Sequence, residues 1–126
     1  MHYYRTVSVI IPVFNEGKNI AKCLESLING DYPLDKLEFV IADGGSSDGT
    51  LEVLNMFSIQ NKDIKIKVVN NPFRTQGYGL NIAIENADKR SKIILRADAH
   101  SSYPINYISD CVKTLLDVDA DNTGGV

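Results

Sequence analysis

Four short apolar runs punctuate the chain: VSVIIPV (Val7 to Val13), LEFVIA (Leu37 to Ala42), IKIKVV (Ile64 to Val69) and KIILRA (Lys92 to Ala97). A helix-length segment separates each from the next. Antiparallel neighbours can be joined by a tight turn, whereas parallel ones need a crossover of a dozen or more residues. The alternation therefore specifies the α/β class, an open, mainly parallel, Rossmann-like sheet with helices on both faces. The intervening segments carry helical spacing: Ile20, Leu24, Leu27 and Ile28 within Asn19 to Asn29, closed by Gly30; Leu51, Val53, Leu54 and Phe57 within Thr50 to Phe57; Leu80, Ala83, Ile84 and Ala87 within Tyr78 to Ala87. Pro104 is expected as the first residue of a last helix, with Ile108, Val112, Leu115 and Leu116 facing inward. The first run alternates too little for a half-exposed strand, and Ile93 to Ala97 also reads as buried. Pro12 is expected at a strand exit, and IKIKVV, alternating with lysine, near a sheet edge.

With 126 residues, 44% hydrophobic and 23% charged, the chain is one domain's worth and can bury a real core. A formal net charge of -3 argues against nucleic acid as a partner, since such binders need a basic surface to displace counterions. Any phosphate recognition must then be local. The longest apolar run, Val7 to Phe14, falls far short of the roughly 20 residues of a membrane span. The N-terminal MHYYRT lacks the features of a signal peptide, so a cytoplasmic location is expected. Cys23 and Cys111 have no metal-ligand spacing and read as free, mostly buried thiols.

In sheets of this kind ligands sit at the carboxyl ends of the strands. Four polar segments fall there: Phe14 to Asn19, Asp43 to Gly49, Asn71 to Gly77 and Asp98 to Ser102. A dinucleotide fingerprint would need its glycines after the first strand, where PVFNEG stands, and a response regulator would need early clustered acids, of which only Glu16 is available. Asp98 and His100 are two metal-capable side chains two residues apart; alone, such a pair could equally be a turn cap and an ordinary loop histidine. Arg74 is either a solvated loop cation or a neutraliser of ligand charge, and Arg96 is expected to ion-pair with Asp98. Asp48 and Thr50 read as caps of the second helix, Gly44, Gly45 and Gly49 as servants of backbone geometry, and Asn81 as a buried hydrogen-bonder.

The ordered set VSVIIPVFNE, VIADGGSSDGT, GYGLNIAIENA and ILRADAHSSYP resembles the family 2 glycosyltransferases over nearly the whole chain. The resemblance implies a GT-A fold and transfer of a sugar from a nucleotide diphosphate sugar, a UDP-sugar first among them, with a divalent cation on the diphosphate. It assigns Pro12, Val13, Phe14, Asn15 and Glu16 to the wall around base and ribose, and Asp43 to the first acid of the D-D-G-S motif, whose second acid is replaced by Gly44. Arg74 and Gly77 complete the donor-binding set. Asp98 and His100 match the two ends of the D-x-D metal motif, and the imidazole favours Mn²⁺ over Mg²⁺. DAH followed by Tyr-Pro is similar to the branch that builds bacterial exopolysaccharide.

The resemblance implies a glycan or lipid-linked acceptor. The expected domain content is the donor-binding part across residues 1–126, with the acceptor half and its general base beyond residue 126. Such a piece would bind donor without transferring sugar. ADNTGGV reads as the start of a further strand, whose unpaired edge would favour self-association. The rival expectations are a non-catalytic nucleotide-binding module and a plain α/β interaction domain.

Overall fold

The computed structural model describes residues 4–117. In chain order the elements are β1 (Val7–Val13), α1 (Ile20–Ile28), a 3-10 turn (Leu34–Lys36), β2 (Leu37–Asp43), α2 (Thr50–Gln60), β3 (Lys65–Asn70), α3 (Gln76–Asn86), β4 (Ile93–Arg96) and α4 (Tyr107–Asp117). All strand pairs are parallel, in the order β3-β2-β1-β4. Side-chain alternation sorts the core into two layers. Val7, Val9, Ile11 and Val13 of β1, with Leu37, Phe39 and Ile41 of β2, pack against α1, α2 and α4. Ile10, Val40 and Ala42 face the other way, onto Ala83 of α3 and Ala87 just past its end. Helices thus cover both faces of the central strands, as the alternation of patterns requires.

Several local expectations change. Pro12 lies inside β1, opposite Ala42, and not at its exit. The Ile10 carbonyl accepts from Ala97 on the β4 side and the Val13 carbonyl from Gly44 on the β2 side, so the missing N–H of Pro12 points toward β4. There the β1–β4 ladder has already ended at Ile10 and Arg96, and no bond is lost. β4 is not buried on both faces: it borders the sheet among the described residues, and α3 lies over β1 and β2, which leaves Ile94 42% exposed. β3 takes the other border, as its lysine alternation predicts.

α2 runs to Gln60, where Asn61 ends it by donating both its amides to the Phe57 carbonyl. α3 begins two residues early because Thr75 caps it, accepting from the Tyr78 amide at 3.3 Å. Pro104 does not open α4. It precedes the helix in a turn, because Tyr103 N–H and the Ile105 carbonyl are claimed by Ser26 and Asp31 of the α1 end. Leu116 and Ile84 face solvent, each more than 40% exposed, so their inward placement is corrected. Asn81 is exposed, not buried. Cys23 and Cys111 are free thiols, the first fully buried. No helix among the described residues is long and apolar enough to cross a membrane. The expected strand at Gly125 and Val126, and self-association through it, lie outside the described residues.

At the sheet end opposite the crevice, Glu38 is buried on β2 and takes hydrogen bonds from Ser8 Oγ (2.7 Å) and Asp88 N–H (2.9 Å), with Lys67 Nζ at 3.0 Å. Burial pushes its carboxyl up, but the Asp88 amide, the Ser8 hydroxyl and Lys67 together hold it below its ordinary value. A depressed folded-state pKa stabilises the fold above the unfolded value, and that contribution is lost as pH falls through the folded one. Glu38→Gln should therefore cost about 1.5–3 kcal/mol in urea unfolding at pH 7. The deficit should narrow as pH drops below about 4.3. A deficit independent of pH would show that the charge of Glu38 contributes nothing.

Candidate functional site

Because every strand is parallel, the loops after β1, β2, β3 and β4 emerge along one sheet edge. Hydrogen bonds knit the first two together. Asn15 N–H donates to Ser46 Oγ (2.8 Å), Ser47 N–H to Asn15 Oδ1 (2.8 Å), Glu16 N–H to Thr50 Oγ1 (3.0 Å) and Gly17 N–H to Asp48 Oδ2 (3.1 Å). Asn15 holds a φ of 53°, a left-handed conformation that asparagine tolerates better than most residues. Asp43, buried at the end of β2, folds its own loop: its carboxylate accepts from the amides of Gly45 and Ser46 and from Ser46 Oγ at 2.6 Å. Gly45 and Gly49 take φ values near 90°, where a side chain would be strained, which accounts for two of the three glycines.

The N-cap of α2 is Gly49, with no side-chain cap bond, and Thr50 is the first helical residue, so the expected caps are corrected: Asp48 instead binds the Thr50 amide and hydroxyl from just before the helix start. It also ties that start to Gly17 of the first loop, which local sequence does not reveal. The Thr50 hydroxyl, with the Gly17 and Thr50 amides, holds the Asp48 carboxyl below its ordinary value.

Arg74 joins three loops. Its guanidinium lies 4.3 Å from the centre of the Phe14 ring, and its Nε donates to the Gly44 carbonyl at 3.2 Å. Arg74 is therefore not a merely solvated loop cation: it is exposed yet bound to the crevice wall. Its φ of 62° is unfavourable for a side chain of this size, by about 1–2 kcal/mol. The stacking and the Gly44 bond offset that cost. Gly44 completes the fit, because a Cβ there would meet Arg74 Cγ at 3.1 Å and Cα at 3.2 Å. Gly77 sits in the first turn of α3 with open space around it and touches none of this.

The fourth loop carries the metal-capable pair. Asp98 contacts Arg96 at 3.5 Å, the ion pair expected from their spacing, and keeps its side chain 44% exposed. His100 Nδ1 lies 3.6 Å from Glu16 Oε2, joining the fourth loop to the first. Glu16 is thereby placed at the histidine as well as in the first loop. Among the described residues no group of three or more His, Cys, Asp or Glu side chains is arranged to hold a metal ion.

The residues that hold Asp98 had no sequence signal. Cys23 Sγ of α1 donates to the Asp98 carbonyl (3.4 Å), and Asp98 N–H donates to Tyr103 Oη (2.7 Å). Burial, then the charges of Asp98 and Glu16, pushes the Cys23 thiol up to about 12, so it remains a donor at neutral pH. Phe73 and Tyr78, rings 4.4 Å apart and both exposed, form an aromatic pair beside the third loop. Aromatics in a segment otherwise rich in polar residues could have flagged them.

This architecture can be set beside known proteins. The profile of glycosyl transferase family 2 matches residues 8–126. A dolichyl N-acetyl-alpha-D-glucosaminyl phosphate 3-beta-D-2,3-diacetamido-2,3-dideoxy-beta-D-glucuronosyltransferase of Methanococcus voltae is 43% identical over 75% of this chain and 29% of its own length. Succinoglycan biosynthesis protein ExoA of Rhizobium meliloti is 34% identical over 90% of this chain and 34% of its own. A mannosyltransferase of Pyrobaculum calidifontis, solved with GDP-Man and Mn²⁺, superposes with a TM-score of 0.85 at 31% identity, over 92% of this chain and 34% of that one. The chain spans about a third of the length of these proteins. The fold is of GT-A type, and the chain belongs to glycosyl transferase family 2.

Proposed function

We propose that residues 1–126 are the donor-binding part of an enzyme that transfers a sugar from a nucleotide diphosphate sugar to a glycan or lipid-linked acceptor. The observation that carries this reading is the convergence of all four carboxyl-end loops on one crevice, with Asp98, His100 and Glu16 together at it. The similar mannosyltransferase is solved with a nucleotide sugar and Mn²⁺, which supports the class of ligand.

One carboxylate and one imidazole, both solvent-accessible, with Glu16 against the imidazole but no group of three or more such side chains among the described residues arranged to enclose an ion, suit a divalent ion that draws its other ligands from a diphosphate and water. Asp98 and His100 would hold it, with Mn²⁺ preferred over Mg²⁺ because of the nitrogen donor. Bound there, such an ion would neutralise charge on the departing diphosphate. Glu16, 3.6 Å from Nδ1, would help to orient the His100 imidazole as a ligand. Pro12, Phe14 and Asn15 wall the base and ribose, Val13 joining them only through its main chain because its side chain is buried in the core, and Arg74, fixed on Phe14, offers a positive charge at the same wall. Asp43 gives the base pocket its only motif acid, and Gly77 leaves room for the ligand at the start of α3. The general base belongs to the acceptor half, so this chain alone should bind donor and transfer nothing.

A thermal-shift panel of UDP, GDP, CDP and dTDP sugars, with and without Mn²⁺, tests the reading. A true donor at 100 times its dissociation constant stabilises by about 2.7 kcal/mol. Asp43→Asn should weaken that binding far more than Asp48→Asn, whereas Asp48→Asn should lower the melting temperature by untying Gly17 and Thr50. No stabilisation by any member of the panel would overturn the reading, and the reverse pattern of variants would show the two acids exchanged.

A further inference from the structure

A surface loop is ordinarily among the mobile parts of a fold. The loop bearing Asp98 is instead closed by a ring of hydrogen bonds. Cys23 Sγ donates to the Asp98 carbonyl (3.4 Å), Asp98 N–H to Tyr103 Oη (2.7 Å), Tyr103 N–H to Ser26 Oγ (2.9 Å), and Ser26 Oγ back to the Cys23 carbonyl (2.7 Å). The ring joins a helix turn, Cys23 to Ser26, to a loop more than seventy residues away. It is braced from outside by the Tyr103–Tyr107 ring contact at 4.4 Å and by Tyr107 Oη, which donates to the Arg96 carbonyl at 3.3 Å.

Both backbone polar groups of Asp98 are thus bound to buried or half-buried partners, while its carboxylate stays 44% exposed. A merely structural tie would need only one such bond, and would have no reason to keep the carboxylate at the surface, where it meets the equally exposed Arg96. Holding the peptide rigidly while presenting the side chain is what a ligand position requires, because small displacements of a ligating oxygen are costly.

We propose that Tyr103 and Cys23 are positioning residues for Asp98, setting the direction of its carboxylate toward a divalent ion through its peptide groups. The inference rests on the reading of Asp98 as a metal ligand. Tyr103→Phe deletes the acceptor of the Asp98 N–H but keeps the ring against Tyr107. Cys23→Ala deletes the side-chain donor to the Asp98 carbonyl, which keeps only the bond from Ser101 N–H of its own loop at 3.1 Å, and Cys23→Ser restores a donor from α1.

The test is Mn²⁺ affinity, followed by electron paramagnetic resonance in separate arms with UDP and GDP, together with metal-free nucleotide affinity and amide hydrogen exchange at Asp98. Tyr103→Phe and Cys23→Ala should each weaken Mn²⁺ binding about tenfold or more. Metal-free nucleotide binding should be unchanged, exchange at Asp98 faster, and Cys23→Ser close to the parent. Ser26→Ala, which unties Tyr103 N–H, serves as the second variant should Tyr103→Phe not fold. If Asp98→Asn weakens Mn²⁺ binding and the ring variants do not, the positioning role is overturned and the metal reading stands. If Asp98→Asn itself has no effect, the metal reading falls and the inference falls with it.

Discussion

Asp98→Asn and His100→Ala should each abolish the metal-dependent part of nucleotide binding while leaving the chain folded. The loss should exceed the roughly 10–100-fold that removing an outer partner of a metal ligand costs, because here a ligand itself is removed. Folding should survive because neither side chain carries the structure. Asp98 is integrated through its peptide groups, and its pair with Arg96, both side chains more than 40% exposed, contributes at most about 1 kcal/mol. The His100 side chain is 62% exposed. Calorimetric titration with nucleotide in Mn²⁺, then in excess chelator, measures the metal-dependent part directly. Equal affinity of the parent chain in both conditions would remove the metal from the mechanism. Parent-like binding by either variant would remove that residue from the site.

A second large effect on stability, beside that of Glu38, is expected at Gly30. A Cβ there would lie 2.8 Å from the Ile105 carbonyl oxygen and 3.2 Å from that of Leu27, both main-chain atoms with no freedom to swing away. The next residue, Asp31, donates its N–H to the same Ile105 carbonyl at 3.0 Å, so the approach of the two segments cannot simply widen. Gly30→Ala should cost about 1–3 kcal/mol, the range for forced overpacking, and urea unfolding would report it. The displaced segment includes Tyr103, two residues before Ile105, so Mn²⁺ affinity should fall as well. An unchanged unfolding midpoint would show that the contact yields without cost.

Gly30 also marks where local reading stops. Its position after an amphipathic run predicts a helix C-cap, the usual use of a glycine that adopts a positive φ. Among the described glycines only Gly45 and Gly49 do so. Gly30 is small because another segment crosses it, a reason that no neighbour in sequence can disclose. Pro104 is a parallel case: a proline before an apolar period is a good helix start, yet the tertiary bonds of Tyr103 and Ile105 hold the chain in a turn until Tyr107.

Strand and helix identity, the parallel sheet, the edge position of β3 and the four crevice loops were all legible in the sequence. These follow from hydrophobic period and from the length of the crossovers, which are properties of consecutive residues. The candidate site was legible as types of chemistry, a carboxylate, an imidazole and an acid-bearing loop, because motif order survives without coordinates. Only the tertiary structure decided what each group touches. Glu16 meets His100, Arg74 lies on Phe14, and Asp98 is gripped by Cys23 and Tyr103. The physical reason is that hydrogen bonds and ring contacts act over about 3 to 5 Å in space, and the chain carries no periodic trace of which distant residues will be brought within that range.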